Sequence, residues 1–474
     1  MDGGDSARRA DGRRLWWFMV AALPAFLVGA FAPQVLNDGD TLWHVAAGRW
    51  MLGHGQVPLT DPFSFTFAGK PWHVHEWLAE VLYAVSWQGF GWAGVAALAG
   101  LAVAATAGQL HLFVRQRVSA MAAAVAVLLA FACLAPGMLA RPHLLALPLL
   151  VCWTGVLIEA RAREQAPRLG WVLVMPLWAN LHGTALFGTA LAGWFAAEAL
   201  VARPAAWRRT FAQWTPFVAG AAASLLLTPR GIEGVVFLVR LTRMESLQTV
   251  GEWQPLDLTS IGAAHVLVLA GVGSLAWWRV RMPWTRAALL VLLLGMTLAH
   301  QRHQMLLATV GTMVWAEALG RARAPAGETA GSGFGRAAAA ALAAVVALRL
   351  AIPTSTHESA TNPVVAIAHV PDDLRGRPVI NGYNSGGALI GAGIRPFIDG
   401  RTDLYGDEFN ALAFGAEHGV PGQLQRVLQE WRIAWTFLPA GSPAVAELDR
   451  TAGWRRVYAD GLIVMHRREA TTPH

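Results

Sequence analysis

The chain is 474 residues long, 55% hydrophobic and only 14% charged, with a mean hydropathy of +0.41. A soluble globular protein carries about 25% charged residues, so that class is excluded, together with disordered, collagen-like and, with two cysteines, disulfide-stapled chains. The net charge of +7 is no nucleic-acid footprint either: Lys70 is the only lysine, and the arginines fall in short clusters between apolar runs, which is how membrane topology is written.

What remains is an α-helical polytopic membrane protein in contact with membrane lipid. A bilayer core about 30 Å thick takes roughly 20 apolar residues per helix. Eleven runs qualify, near 15–33, 90–114, 119–139, 143–160, 169–181, 184–202, 214–229, 261–279, 285–300, 304–320 and 337–353. The fifth is short and ends at Ala179-Asn180-Leu181-His182-Gly183, which fits a broken element lining a cavity. Cys133 and Cys152 lie inside the third and fourth runs and read as buried thiols. With the N-terminus inside, eighteen arginines flank the inner helix ends, while the outer segments hold seven cations: Arg49, Lys70, Arg141, Arg230, Arg240, Arg243 and Arg302. Residues 1–14 are therefore expected in the cytoplasm, 15–353 in a transmembrane domain with a large first outside loop at 34–77, and 354–474 outside. Ala32-Pro33-Gln34 is a poor cleavage site, so the first run reads as a retained helix.

Residues 324–336 read as a Gly/Ala/Ser-rich linker. Beyond Pro353 strand-like runs at Pro378-Val379-Ile380, Pro396-Phe397-Ile398 and Leu462-Ile463-Val464-Met465 alternate with helical stretches such as 421–432, predicting a small α/β domain.

Histidines gather at the outer face: His44, His54, His73, His75, His143, His182, His300 and His303. The first outside loop carries most of the chemistry. Asp38 and Asp40 stand two residues apart as the chain leaves the first helix, followed by His44, Asp61, His75, Glu76 and Glu80, with 48–55 read as an amphipathic turn on the surface. Such carboxylates suit either acceptance of a hydroxyl proton or retention of a divalent cation, or they cap the following helix. Arg141, Arg230 and Arg302 stand where helices meet the outer interface and suit a phosphate clamp, although a single arginine there also snorkels. His73-Val74-His75-Glu76 offers metal-binding side chains, yet its spacing matches no zinc signature.

Asp38-Gly39-Asp40-Thr41-Leu42-Trp43-His44, with Asp61-Pro62-Phe63-Ser64 and His75-Glu76-Trp77-Leu78, resembles the first outside loop of bacterial membrane proteins related to the GT-C glycosyltransferases. Trp178 to Gly183, Glu252-Trp253, Arg302-His303 and Phe397-Ile398-Asp399-Gly400-Arg401-Thr402-Asp403 extend the resemblance along the chain. It implies a GT-C-like helical domain and transfer of a sugar from a polyprenyl-phosphate carrier to a hydroxyl outside the bacterial cytoplasmic membrane. In that reading Asp38 or Asp40 is the base, Arg230, Arg302 and Arg141 stabilise the departing phosphate, and His303 or His182 assists. His44, His75 and Glu76 are expected at the substrate. Asp399, Arg401 and Asp403 either bind acceptor or form a structural turn. The adjacent acidic pair of several better-known GT-C members is absent, which leaves the acting aspartate and the metal requirement open. Two other functions fit the same outer-face charges: a transporter or flippase for a lipid-linked saccharide, and a non-catalytic envelope assembly protein. Sugar, acceptor and oligomeric state are not encoded in any motif.

Overall fold

The computed structural model describes residues 2–322 and 334–469, and every one of the eleven apolar runs carries a helix in it. In chain order these are α1 (Asp2–Phe31), α2 (Gly39–His54), α3 (Trp77–Arg115), α4 (Ala120–Leu134), α5 (Pro142–Ala162), α6 (Val174–Leu181), α7 (Ala185–Ala202), α8 (Trp207–Ser224), α9 (Ile232–Leu241), α10 (Ala263–Trp277) and α11 (Trp284–Ala299). They continue as α12 (Gln304–Leu306) and α13 (Thr312–Ala322), joined through a π turn, then α14 (Phe334–Ala351). Among the described residues six helices are long and apolar enough to cross a membrane. Leu128, Leu269 and Val291 turn outward at 72%, 68% and 68% exposure, an arrangement costly in water and natural against lipid. The protein is thus a multi-pass membrane protein. The linker expected at 324–336 falls largely on 323–333, which lie outside the described residues.

Two compact units divide the chain. The first comprises residues up to Val35, Ala93–Val235 and Val250–Pro353. Several ion pairs tie its helix ends and turns together. Arg117 meets Glu159, Arg161 and Arg286 share Glu198 at 3.1 and 2.7 Å, and Arg141 and Arg302 share Glu252. Local signals set the helix starts: the Ser119 hydroxyl accepts from Ala122 N–H at the head of α4, and Pro142 occupies the first turn of α5.

The second unit joins Leu36–Trp92, Val236–Thr249 and the residues from Thr354 onward. The loop after α1 therefore folds with the C-terminal part of the chain. α3 passes from this unit to the other through a break at Phe90 and Gly91, where Gly91 takes φ +57, a backbone state suited to glycine. Four short strands, β1 (Val379–Asn381), β2 (Trp435–Pro439), β3 (Trp454–Ala459) and β4 (Ile463–Arg468), form a sheet in the order β1-β2-β4-β3, with β1 parallel to β2 and the other pairs antiparallel. Around it lie α15 (Val364–Ala368), α16 (Gly386–Gly391), α17 (Thr402–Glu417), α18 (Gln423–Glu430) and α19 (Pro443–Leu448). One apolar cluster holds Trp43, Ala47 and Met51 of α2 with Trp72, Phe397, Leu404, Tyr405 and Val464.

Two local expectations are corrected. Residues 48–55 are no separate turn: α2 runs through His54, with Gly48 and Met51 buried on one face while Arg49, Leu52 and His54 are exposed. Residues 396–398 form no strand; the Asn381 side chain takes the place of a ladder there, accepting from Phe397 N–H at 2.8 Å and donating to the Ile398 carbonyl at 2.8 Å.

Candidate active site

The acidic pair opens α2. Asp38 holds the N-cap position in extended backbone (φ −146°, ψ 129°) but its side chain makes no capping hydrogen bond, and it is 6% exposed. Asp40 lies in the first turn, where the partial positive charge of the helix end favours a carboxylate, and accepts from Trp43 Nε1 at 3.0 Å. Against it packs Gly400: a Cβ at that residue would stand 1.8 Å from Asp40 Oδ1. The two motifs singled out at opposite ends of the sequence thus meet within one unit.

One turn beyond Asp40, His44 is 3% exposed and ring-to-ring with Trp43 at 3.7 Å. Its Nδ1 pairs with Glu80 Oε1 at 3.2 Å, and its Nε2 lies 4.0 Å from Glu76, whose other oxygen is 3.5 Å from His75 Nε2. Burial pushes the Asp403 carboxyl above its ordinary value, with the His75 imidazole offsetting only part of that. An imidazole held between carboxylates, beside an acidic pair at a helix head, is equipped to accept and pass a proton.

Asp399 and Arg401 serve differently. Arg401 is 1% exposed and grips Asp399 through Nε and Nη2 at 2.8 and 2.7 Å, while Nη1 donates to Asp61 at 2.7 Å. Tyr405 donates to Asp399 at 2.6 Å, and Trp72 lies under the guanidinium at 4.6 Å. Desolvation would lower the guanidinium's proton affinity, but the Asp399 and Asp61 charges beside it dominate and hold it firmly protonated. This sealed cluster ties the C-terminal residues to the first loop. Asp61 and Glu80 stand out in the sequence only as first-loop carboxylates with no individual role, and Tyr405 carries no signal of its own; the Asp61-Pro62-Phe63-Ser64 turn is the local cue, since Asp61 also accepts from the amides of Phe63 and Ser64.

The helical unit holds the remaining candidates. Arg141, just ahead of α5, and Arg302, in the turn after α11, each reach Glu252 at 3.3 Å, and Arg302 lies over the Trp253 ring at 4.3 Å. Burial alone would raise the Glu252 carboxyl; Arg302 and Arg141 outweigh it and hold the group below its ordinary value. The turns bearing Glu252 and Arg302 are stitched by Gln301 N–H to the Gln254 carbonyl (2.9 Å), Gln301 Nε2 to the Gly251 carbonyl and His300 Nδ1 to the Trp253 carbonyl (2.6 Å). His303 bonds the Met296 carbonyl and burial holds its imidazole below the usual value. His182 is tied to Thr184 at 2.9 Å beside His143, and Arg230 stands 4.0 Å from Glu233.

A divalent cation was one expectation of the first loop. Among the described residues no group of three or more His, Cys, Asp or Glu side chains converges to hold one.

No protein-family model matches the chain, and no curated protein sequence does so either. Solved structures do. The archaeal oligosaccharyltransferase AglB from Archaeoglobus fulgidus, in complex with an inhibitory peptide and a dolichol-phosphate, is similar over 90% of this chain and 69% of its own, with a TM-score of 0.56 at 10% identity. ArnT from Cupriavidus metallidurans, bound to undecaprenyl phosphate, is similar over 96% of this chain and 98% of its own, with a TM-score of 0.54 at 13% identity. An Archaeoglobus fulgidus oligosaccharyltransferase in complex with Zn and sulfate covers 89% of this chain and 68% of its own at 12% identity and a TM-score of 0.50. The chain has the fold of these membrane glycosyltransferases, which are of the GT-C type.

Proposed function

We propose that the chain is a membrane glycosyltransferase that moves a sugar from a polyprenyl-phosphate carrier to a hydroxyl outside the bacterial cytoplasmic membrane, with its N-terminus inside and residues 354–474 outside. The observation that carries this reading is the Asp38–Asp40 pair at the head of α2, with Asp40 against Gly400, in a chain of this fold.

In the proposed reaction one of the two carboxylates takes the proton of the acceptor hydroxyl. The oxygen so freed attacks the anomeric carbon, forming the new glycosidic bond, as the bond from that carbon to the carrier phosphate breaks. The phosphate leaves with the electron pair. General-base help of this kind is worth about 10²–10⁴-fold, and preorganised cations at the departing phosphate add a further electrostatic contribution.

Sugar transfer from a panel of radiolabelled polyprenyl-phosphate sugars, in membranes matched for expression, tests the proposal. Asp38→Asn or Asp40→Asn should cut transfer by about 10²-fold or more. A wild type that binds a lipid-linked sugar yet consumes no donor would point instead to transport or envelope assembly.

A further inference from the structure

Glu252 poses a question that the proposed reaction leaves unanswered: two arginines suited to an anionic ligand already hold a carboxylate of the chain itself. The carboxylate is not a chance neighbour. Its turn is hydrogen-bonded to the turn of Arg302 through Gln301 and His300, and Trp253 beneath the Arg302 guanidinium fixes that side chain from the other face. Arg141, Glu252 and Arg302 are respectively 20%, 38% and 23% exposed, so the cluster is open to a ligand.

Resting on the transferase reading, we propose that Glu252 is a resident counter-charge that matches the Arg141–Arg302 pair to a phosphate carrying a single negative charge. Two guanidiniums less one carboxylate leave one net positive charge. A phosphodiester, as in a sugar linked to its carrier through one phosphate, has one negative charge and neutralises the cluster. The carrier released by transfer is a phosphomonoester with about −1.5 to −2 at neutral pH, and it meets Glu252 with surplus negative charge. The pair therefore accepts the donor and lets the spent carrier go. Without Glu252 the two arginines would match the monoester instead and retain it. The ligand class assigned is a phosphodiester-linked lipid. Free phosphate is not the intended occupant, because Arg302 follows α11, an apolar helix whose Val291, Leu292 and Leu298 are exposed as they would be against lipid.

The test uses the purified full-length chain in nanodiscs and two probes, polyprenyl phosphate and its methyl diester, with inorganic phosphate as competitor. For Glu252→Gln the monoester should bind about tenfold more tightly while the diester changes much less, since one charge has been removed from beside the ligand. In turnover the variant should show stronger inhibition by polyprenyl phosphate and a lower kcat without a higher donor KM. Arg302→Gln should weaken both lipids. An unchanged monoester-to-diester ratio in a Glu252→Gln protein that melts like wild type overturns the inference alone, and equal weakening of both lipids does the same by reducing Glu252 to a structural tie. Competition by inorganic phosphate at the affinity of the lipid overturns the lipid assignment. Failure of the wild type to bind either lipid removes the transferase reading beneath it.

Discussion

Single residues in this protein are decided by what surrounds them. Asp399, Asp403 and the first-loop Asp61 are all carboxylates of one unit, yet Asp399 and Asp61 both pair with Arg401 while Asp403 stands half-buried near His75. Breaking a buried ion pair by removing one member costs about 3–5 kcal/mol, which is why Arg401 belongs to the scaffold. For Asp403 the sign runs the other way. Its folded pKa is raised by burial, so its neutral form favours the fold, and that stability is lost as pH rises from the ordinary Asp value through the raised one. Asp403→Asn should therefore melt higher than wild type at pH 7–8, with the gap closing toward pH 4. Denaturation midpoints across that range check this; a gap independent of pH would refute it. None of this is visible in the spacing of Asp399, Arg401 and Asp403, because sequence separation does not report which charge is shared with a residue more than three hundred positions away.

At the scale of elements, the sequence marks helices well and contacts poorly. Each apolar run carries a helix because a lipid-buried backbone must satisfy its own hydrogen bonds, and length and composition suffice to say so. The C-terminal part of α2, residues 48–54, reads as a turn because the buried face of the helix is not a continuous apolar stripe: Thr41, His44 and Gly48 are buried alongside Trp43 and Met51. The run 396–398 is strand-like because its apolar residues are core residues, but Asn381 supplies its hydrogen bonds, and Gly400 just beyond it presses on α2. Gly400→Ala tests that contact. The added methyl would displace the Asp40 carboxylate, and a shift of about 1 Å in a catalytic group costs about 10²-fold in rate. Transfer should fall by that order while expression and melting stay near wild type; a fully active alanine variant would show that the position of Asp40 is immaterial.

For the whole molecule, the first loop and the C-terminal residues fold as one unit although residues 93–353, mostly helical chain, lie between them. Their shared apolar cluster and the Arg401–Asp61 pair make each dependent on the other. Ending the chain after Pro353 should leave the helical unit folded in the membrane, abolish transfer and open residues 36–77 to proteolysis. Protection of that loop in the shortened chain would contradict the shared core. By itself the sequence determined that this is a multi-pass membrane protein, where its helices lie, and which acidic and basic residues crowd their ends, since these follow from local composition and the thickness of a bilayer. Only the tertiary structure decided that Asp40 faces Gly400, that Arg401 is consumed by Asp399 and Asp61, and that Glu252 divides itself between two arginines. The reason is physical: periodicity reports whether a side chain seeks lipid or core, whereas the partner of a buried charge is chosen by packing between segments remote in the chain.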